Sequence, residues 1–314
     1  MVSFIILNYN RKDEVLFTLD NVYKTNKNVS FEIVLIDQNS TDGSQEAIRE
    51  GFPQTKLYCS QSNLGVAGGR NKGVELSNGE ILVFLDDDAH FNTVNAVNKI
   101  DLIFKQDSKI GIVGFKVVDK NYKIRDWQYN YFSKKHSNRA FYTQQFVGCG
   151  HAIRASLFNK INGYSSKLFF WGEEIEFCLK TYRDTSYNII YHPGIEVTHR
   201  VSELSRFHWK TDRTFYKSRN RFALILNYFS KKSIFTYLFY FYFFIGYLFQ
   251  SLKNLSFKYF IKGFIASFKL DIKSEKLSKE QMNLYSLCYL KQYFGRPSFY
   301  KSNLVSEFEN SQIK

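Results

Sequence analysis

Short apolar runs alternate with helix-like stretches along residues 1–115 of the chain. Apolar runs too short for a helix predict buried strands. They are Phe4–Asn8, Phe31–Asp37, Lys56–Cys59, Glu80–Leu85 and Ile110–Phe115. Apolar residues at helical spacing predict the helices between them, Asp13–Tyr23, Ser44–Glu50, Gly68–Leu76 and Val94–Phe104. This alternation favours an α/β domain with a mostly parallel sheet that helices cover on both faces.

The pattern changes in the second half of the chain. Residues 116–170 are less regular and rich in Tyr, Lys and Asn. A helix is predicted from Gly172 to about Tyr182, an extended segment over residues 187–199, and a further helix over Arg213–Phe229. Residues 226–314 are expected to form a separate helical region.

An uncharged aromatic stretch dominates that last region. Residues 233–252 carry no charge, and ten of the sixteen residues from Ile234 to Phe249 are aromatic. An amphipathic stretch follows, with one face formed by Phe257, Phe260, Ile261, Phe264 and Phe268 and the other by Lys258, Lys262 and Lys269. Three interpretations stay open: a helix lying in the membrane surface, a helix spanning the bilayer, and a helical subdomain packed on the rest.

Charge is divided unevenly along the chain. Residues 1–199 hold 23 basic and 22 acidic residues, whereas residues 200–314 hold 20 basic and 7 acidic residues. The basic part suits an anionic membrane surface or a phosphate-bearing ligand. Nucleic acid is a poor partner because the carboxylate clusters of the neutral part would repel its phosphates. No secretory leader precedes the first apolar run, so the cytoplasm is expected.

Four cysteines lie far apart in the sequence. They are Cys59, Cys149, Cys178 and Cys288. No Cys-x-x-Cys pair occurs, so neither a disulfide framework nor a zinc site is predicted.

Polar side chains follow three of the predicted strands. Asn8, Asp37 and Asp86–Asp88 each stand where an apolar run ends. Ligands of such sheets bind beyond the carboxyl ends of the strands, so these groups are expected to meet at one edge. The three carboxylates favour a hard cation, Mg²⁺ or Mn²⁺, and the alternative is a solvated turn that caps a helix.

Two further motifs carry candidate chemistry. The glycine-rich run Asn63–Gly73 matches neither a P-loop nor a dinucleotide fingerprint, yet Arg70 within it can meet a diphosphate; the alternative is tight packing of a helix on the sheet. In Trp171-Gly172-Glu173-Glu174 the acidic residues suit a first helical turn. Burial beside the aromatic residue would also raise a carboxyl pKa and make a general base.

Five motifs in this order resemble the family 2 glycosyltransferases, in particular rhamnosyltransferase-like and cell-surface polysaccharide enzymes. They are Asn8-Tyr9-Asn10, Asp37 with Asp42-Gly43-Ser44, Asn63-x-Gly65 with Arg70-Asn71-x-Gly73, Asp86–Asp88, and Trp171-Gly172-Glu173-Glu174-x-Glu176. The resemblance implies a GT-A fold for a catalytic domain over residues 1–225. Outside the resemblance, the composition of residues 226–314 predicts a basic, aromatic, membrane-associating appendage, and the irregular stretch of residues 116–170 is a candidate acceptor-binding surface.

The resemblance also implies roles for individual residues. The nucleotide-sugar site would comprise Asn8, Asp37, Asn63, Arg70, Asp86 and Asp87. Asp88 and His199 would hold the metal. Glu174 would be the general base, with its neighbour Glu173 as the alternative. The run Arg219-Asn220-Arg221 would reach the diphosphate.

The implied reaction is an inverting transfer. A UDP- or dTDP-sugar would donate its sugar to a hydroxyl of a saccharide or lipid-linked acceptor, with Mn²⁺ or Mg²⁺, at the inner face of the cell membrane. Two alternatives are a nucleotidyltransferase with a similar sheet and a nucleotide- or membrane-binding relative without catalytic activity.

Overall fold

The structure is a computed structural model that describes residues 1–124, 135–201, 210–272, 274–283, 285–286, 298 and 300. Its strands are β1 (Val2–Asn8), β2 (Phe31–Asp37), β3 (Lys56–Cys59), β4 (Ile81–Asp86), β5 (Ala89–Phe91), β6 (Ile110–Val118), β7 (Phe141–Thr143), β8 (Gly150–Arg154) and β9 (Asn188–His199). Its α-helices are α1 (Lys12–Thr25), α2 (Ser44–Gly51), α3 (Gly65–Glu75), α4 (Ala96–Gln106), α5 (Ala155–Lys160), α6 (Glu173–Asp184), α7 (Lys210–Tyr228), α8 (Ile234–Lys253) and α9 (Phe257–Ser267).

The strands form one sheet in the order β3-β2-β1-β4-β8-β6-β9-β5, with β7 also paired to β9. The strands β3, β2, β1 and β4 are parallel. β8 is antiparallel to both neighbours, β6 is parallel to β9, and β5 and β7 are antiparallel to β9. The predicted α/β class is confirmed, but the sheet is mixed rather than mostly parallel.

The predicted strands and helices correspond to elements of the structure. The sheet is mixed rather than mostly parallel because it contains three further short strands, which the hydrophobic pattern did not predict. β5 and β7 have three residues each, and β8 has five. β8 begins with Gly150 and His151, and the His151 side chain is fully buried. Strands this short carry no periodic signal, and these three supply the antiparallel pairings.

Register places the predicted polar residues at one edge. Asn8 pairs with Asp37 across β1 and β2. Leu7, the residue before Asn8, pairs with Asp86 across β1 and β4. The expectation that these side chains meet beyond the strand ends is therefore confirmed.

A second hydrophobic cluster joins the C-terminal helices to α6. Its buried members include Leu179 of α6, Leu224 and Tyr228 of α7, and Phe239 of α8. The predicted boundary at residue 225 falls inside α7, because this helix is continuous from Lys210 to Tyr228. The C-terminal helices are thus packed on the sheet-containing part through α7.

One face of α8 points away from the protein. Ile234, Phe241 and Phe249 are 66%, 66% and 67% exposed, respectively. On the opposite face Tyr240, Phe244 and Tyr247 surround Phe222 of α7. Within the described residues, Ile234–Lys253 is the one helix long and apolar enough to cross a membrane by length and composition.

Candidate active site

A cleft of about 320 Å³ lies beyond the carboxyl ends of β1 and β4. Its walls include six residues that the sequence singled out, Asn8, Asn63, Asp86, Asp87, Asp88 and His199. The cleft is also lined by Arg11, Phe169, Phe170 and Arg213. Residues from strand ends, loops and a C-terminal helix therefore converge on one space.

Asn8 and Asp37 form a buried pair at the base of the cleft. Asn8 Nδ2 donates to Asp37 Oδ2 at 2.8 Å. Asp37 Oδ1 accepts from the Ser40 backbone N–H at 2.9 Å and from Gln45 Nε2 at 2.7 Å. Asp37 is fully buried and does not line the cleft, whereas Asn8 does. Asn8 Oδ1 is buried and has no hydrogen-bond partner among the described residues, so it can accept a bond from a ligand.

The three consecutive aspartates have different partners. Arg11 pairs with Asp87 at 3.0 Å and with Asp88 at 2.8 Å. His199 Nε2 lies 3.2 Å from Asp88 Oδ1 and 3.9 Å from Asp86 Oδ2. The Asp86 side chain is 38% exposed, the most open of the three. Arg11 neutralises two of the carboxylates, and Asp86 faces the cleft.

The pKa values of the three aspartates depend on their burial and on these contacts. Burial raises the pKa of Asp86 although part of its side chain opens into the cleft, and the charges of Arg70 and His199 counteract this effect. Burial also raises the pKa of Asp87, against the attraction of Arg11. Burial opposes ionisation of Asp88, but the hydrogen bonds from His199 and Arg11 prevail and lower its pKa.

Asp86, His199 and Cys149 bring together the donor atoms that a metal ion needs. One ligand atom from each lies within 4.8 Å of the others. Carboxylate oxygen and imidazole nitrogen fit a divalent cation such as Mn²⁺, while a thiolate suits softer metals. Sequence analysis predicted no metal role for Cys149, since its spacing from the other cysteines carries no such signal. Among the described residues, Cys59, Cys149 and Cys178 take part in no disulfide; Cys288 lies outside the described residues.

Arg70 is a buried cation that ties the cleft to the predicted base. Its guanidinium lies 3.3 Å from Asp86, 3.5 Å from Glu173 and 3.1 Å from Glu174, and it donates to Gly148 O at 2.8 Å. Burial opposes its charge, but Glu174 and the other nearby acids outweigh burial and raise the pKa of Arg70. Arg70 does not line the cleft, so its contacts go to the acidic side chains behind the wall.

The two glutamates are in different environments. Glu173 is almost fully buried, and its Oε2 has no hydrogen-bond partner among the described residues. Burial, followed by the adjacent Glu174, raises the pKa of Glu173 well above its usual range. The Glu174 side chain is 13% exposed and directly paired with Arg70. A Cβ at Gly148 would overlap Glu174 Oε1, so glycine makes room for this carboxylate.

A strained loop, residues 169–172, separates the cleft from α6. Phe169, Trp171 and Gly172 have φ values of 58°, 66° and 97°. The left-handed region is costly for aromatic residues, so the loop needs external support. Asn220 of α7 supplies it: Nδ2 donates to the carbonyl groups of Leu168 at 2.8 Å, Phe170 at 2.9 Å and Trp171 at 2.5 Å.

The family resemblance implied that the run Arg219-Asn220-Arg221 reaches the diphosphate. In the structure the run contacts the strained loop and the residues just before it instead. Arg219 donates to Lys167 O and Leu168 O, both at 3.0 Å. Arg221 stacks on Trp171, with its guanidinium carbon 5.1 Å from the ring centroid. None of the three lines the cleft, although Arg213, nearer the start of α7, does. They hold the loop that forms its wall.

Glycines of the predicted run serve mainly in packing. Gly65 has φ of 70°, and a Cβ there would overlap Phe169 O. Val66 N donates to the same oxygen at 2.6 Å. Gly73 lies directly against Ile5 of β1. Both interpretations thus apply to different ends of the run: Asn63 and Gly65 line the cleft, and the later glycines let α3 approach the sheet.

The structure separates the predicted site residues into two groups. Asn8, Asn63, Asp86–Asp88 and His199 meet at the cleft. Asp37, Arg70, Glu173 and Glu174 stand behind its wall, connected to it through Asn8 and Asp86. Arg11 was not predicted as a site residue. It directly follows the Asn8-Tyr9-Asn10 motif, and this position could have indicated that it lies at the site. Part of the predicted acceptor-binding stretch, residues 125–134, lies outside the described residues.

Together these features define an α/β enzyme with an acidic cleft for a polar ligand at its strand ends. A family model described as glycosyl transferase family 2 matches residues 3–161. A second model, described as the N-terminal domain of galactosyltransferase, matches residues 130–202. The chain belongs to the family 2 glycosyltransferases and is a glycosyltransferase enzyme.

One sequence relative is UDP-Glc:alpha-D-GlcNAc-diphosphoundecaprenol beta-1,3-glucosyltransferase WfaP of Escherichia coli. It is 33% identical over 103 residues, which are 32% of this chain and 40% of that protein. The match therefore covers less than half of the relative's length.

Two solved structures have the same fold. The mannosyltransferase PcManGT of Pyrobaculum calidifontis, in complex with GDP-Man and Mn²⁺, superposes with a TM-score of 0.59 at 17% identity, over 99% of this chain and 86% of that chain. S. aureus TarS 1-349, in complex with UDP-GlcNAc, superposes with a TM-score of 0.54 at 17% identity, over 72% of this chain and 66% of that chain. At these identities the likeness establishes the GT-A fold.

Proposed function

We propose that this enzyme is an inverting transferase. It moves a sugar from a UDP- or dTDP-sugar to a hydroxyl of a saccharide or lipid-linked acceptor in cell-surface polysaccharide synthesis. The observation that carries the proposal is the convergence of Asn8, Asp86–Asp88 and His199 on one cleft, with the Arg70–Glu174 pair directly behind it. The acceptor of WfaP, a diphosphoundecaprenol-linked sugar by its name, supports the lipid-linked class.

A divalent cation, Mn²⁺ or Mg²⁺, fits the donor set at the cleft. Asp86, Asp88 and His199 would hold it, and Mn²⁺ accompanies GDP-Man in the PcManGT complex. When bound, the cation would supply positive charge to a leaving nucleoside diphosphate. Asn8 Oδ1 would accept a hydrogen bond from the nucleotide, and Asp37 would orient Asn8 from below. Asn63 and Asp87 would complete the nucleotide-sugar site.

Glu174 is the proposed general base. An attacking sugar hydroxyl must lose its proton as the new glycosidic bond forms, and a carboxylate within hydrogen-bonding reach accepts it. Arg70 fixes the position of Glu174, and Gly148 leaves space for its carboxylate. Glu173 has a raised pKa that disfavours its ionised form, so it is the weaker candidate. A single displacement with such a base inverts the anomeric carbon.

We also propose that the enzyme works at the inner face of the cell membrane. The exposed apolar face of α8 and the lysine-rich face of α9 support a helix pair lying on an anionic surface. Residues 1–225 would carry the reaction and residues 226–314 the attachment, with α7 shared by both parts.

A donor-release assay tests the reaction. Purified enzyme is incubated with UDP- and dTDP-sugars, an extract of lipid-linked acceptors and either Mn²⁺, Mg²⁺ or EDTA, and nucleoside diphosphate release is measured. We expect release from one donor, abolished by EDTA, and a product of inverted anomeric configuration by NMR. Release that persists in EDTA would contradict the metal assignment, and retained configuration would contradict the single displacement.

A further inference from the structure

A second cavity, of about 630 Å³, lies between α7, α8 and α9 beside the candidate active site. Among the described residues that line it, three are basic, Lys210, Arg213 and Lys217, and none is acidic. Its volume is within the range of small-ligand sites. Cations without carboxylates around an open space favour a phosphate or another anion as the occupant.

Lys217 has the environment expected of a ligand-binding cation. Its Nζ donates to Gln250 Oε1 at 2.8 Å and lies 4.7 Å from the Tyr247 ring centroid. No carboxylate lies within 4.0 Å of its ammonium among the described residues. Burial, together with the charges of Arg221 and Arg213, lowers the pKa of Lys217 to about 8. A partly desolvated cation among other cations costs folding free energy, and an anion in the cavity would reverse that cost.

The cavity adjoins the cleft across the strained loop. Arg213 lines both spaces. Phe169 and Phe170 line the cleft, whereas Trp171 lines the cavity. A ligand in the cavity therefore lies on the other side of the loop that leads into Glu174 and α6.

The cavity also adjoins the apolar surface of α8. Tyr247 and Gln250 of this helix line the cavity, while Phe241 and Phe249 are exposed to the outside. A molecule with an anionic group and an apolar chain can thus place the first among the cations and the second along α8.

We propose that the α7–α9 cavity binds the phosphate or diphosphate group of a lipid-linked acceptor, through Lys217, Arg213 and Lys210. The attached sugar then extends past Arg213 to the donor cleft, and the lipid follows the exposed face of α8. The assignment to an acceptor rests on the proposed glycosyl transfer, whereas the anion site itself can be tested without turnover.

Calorimetry with EDTA present tests the anion site, because the donor cleft then lacks its cation. The probes are inorganic pyrophosphate and a short-chain isoprenyl diphosphate in detergent. We expect both to bind, the isoprenyl diphosphate at least about tenfold more tightly, and Lys217→Gln to weaken both by about tenfold or more. The matched control Lys160→Gln removes an exposed lysine at the end of α5, in the sheet-containing part, and should bind both probes like the wild type.

Each alternative result overturns a defined part of the proposal. Equal affinities of wild type and Lys217→Gln would overturn the anion site, and equal affinities for the two probes would overturn the lipid-linked ligand. Without an anion in the cavity Lys217 is costly for folding, so ligand-free Lys217→Met should melt at or above the temperature of the ligand-free wild type. A large drop in melting temperature would instead assign Lys217 a structural role.

A kinetic comparison separates this proposal from the proposed reaction. With transfer activity present, Lys217→Gln should raise the KM for a diphosphate-linked acceptor by about tenfold, with a much smaller effect on the same saccharide lacking the diphosphate. Equal effects on both acceptors would overturn the acceptor assignment. Absence of any donor turnover by the wild type would overturn the proposed reaction, while the calorimetric result would still decide the anion site.

Discussion

At the residue scale, Arg70 connects the cleft with the proposed general base. One buried guanidinium contacts Asp86 on the cleft side and both Glu173 and Glu174 behind it. Burying such a group is costly unless its donors are satisfied, and here carboxylates and the Gly148 carbonyl satisfy them. Asp86 at the cleft and the proposed base Glu174 are thereby held in fixed relation, as the proposed displacement reaction requires.

A pair of substitutions distinguishes the two glutamates. Glu174→Gln removes the proposed base but keeps a group that Arg70 can contact, so we expect kcat to fall by about 10²–10⁴. The Kd for the nucleoside diphosphate should change by about twofold or less. Steady-state transfer rates and calorimetry measure the two quantities.

Glu173→Gln is the matched control. The raised pKa of Glu173 favours its protonated carboxyl group, which resembles the neutral amide of glutamine. We expect its kcat to fall far less than that of Glu174→Gln. The reverse order would assign the base to Glu173, and near-normal transfer by Glu174→Gln would contradict the mechanism.

At the scale of elements, the contact between α7 and the strained loop matters most. Asn220 is fully buried, and its amide donates to the carbonyl group of Leu168 and to those of Phe170 and Trp171 in the loop, whose backbone has three positive φ values. The loop contributes Phe169 and Phe170 to the cleft and leads into Glu174. A helix remote in sequence thus sets the shape of the cleft wall.

Replacing Asn220 should affect both stability and activity. Asn220→Ala leaves buried carbonyl groups without their donor, which should lower the free energy of unfolding by about 2–3 kcal/mol. The released loop should also lower kcat/KM by about tenfold or more, because small displacements near reacting groups slow the reaction strongly. Denaturant unfolding and the transfer assay measure these effects.

Asn227→Ala is the control for Asn220→Ala. Asn227 lies on the same helix and donates to Ala223 O and Leu270 O, away from the loop. Its loss should destabilise the fold while kcat/KM stays within about twofold of wild type below the melting temperature. Equal activity losses in both variants would show that stability, rather than loop position, controls the reaction.

At the scale of the whole molecule, charge and apolar surface are segregated. The sheet-containing part is nearly neutral, and the C-terminal helices are strongly basic with an exposed aromatic face. The structure packs these helices on the rest through α7 and leaves one face of α8 open. Packing and membrane attachment are therefore compatible for the same helices.

Membrane attachment can be tested on the exposed face of α8. Phe241→Ser with Phe249→Ser removes two exposed rings, and burial of each ring is worth about 1.5–3 kcal/mol. Partitioning onto vesicles of anionic phospholipid should therefore fall by at least about tenfold in co-sedimentation. The control, Val94→Ser with Leu102→Ser, removes exposed apolar side chains of the sheet-containing part and should leave binding unchanged. Equal binding by both double variants would contradict attachment through α8.

The features of this protein that the sequence predicted are mainly those that depend on residues close together in the chain. The strands β1 to β4 and the helices between them follow from local hydrophobic periodicity, since burial on one or both faces leaves a repeating pattern. The meeting of Asn8, Asp37 and Asp86 also follows, because parallel strands present their carboxyl ends at one edge.

Tertiary structure alone decided the remaining features. Arg11 pairs with Asp88 across 77 positions, and Asn220 reaches Trp171 across 49. Cys149 approaches His199 because antiparallel β8, too short to leave a pattern, stands between β4 and β6. The basic cavity exists only where three helices meet. Local sequence encodes which segments become strands and helices, whereas these contacts depend on how the finished elements pack together.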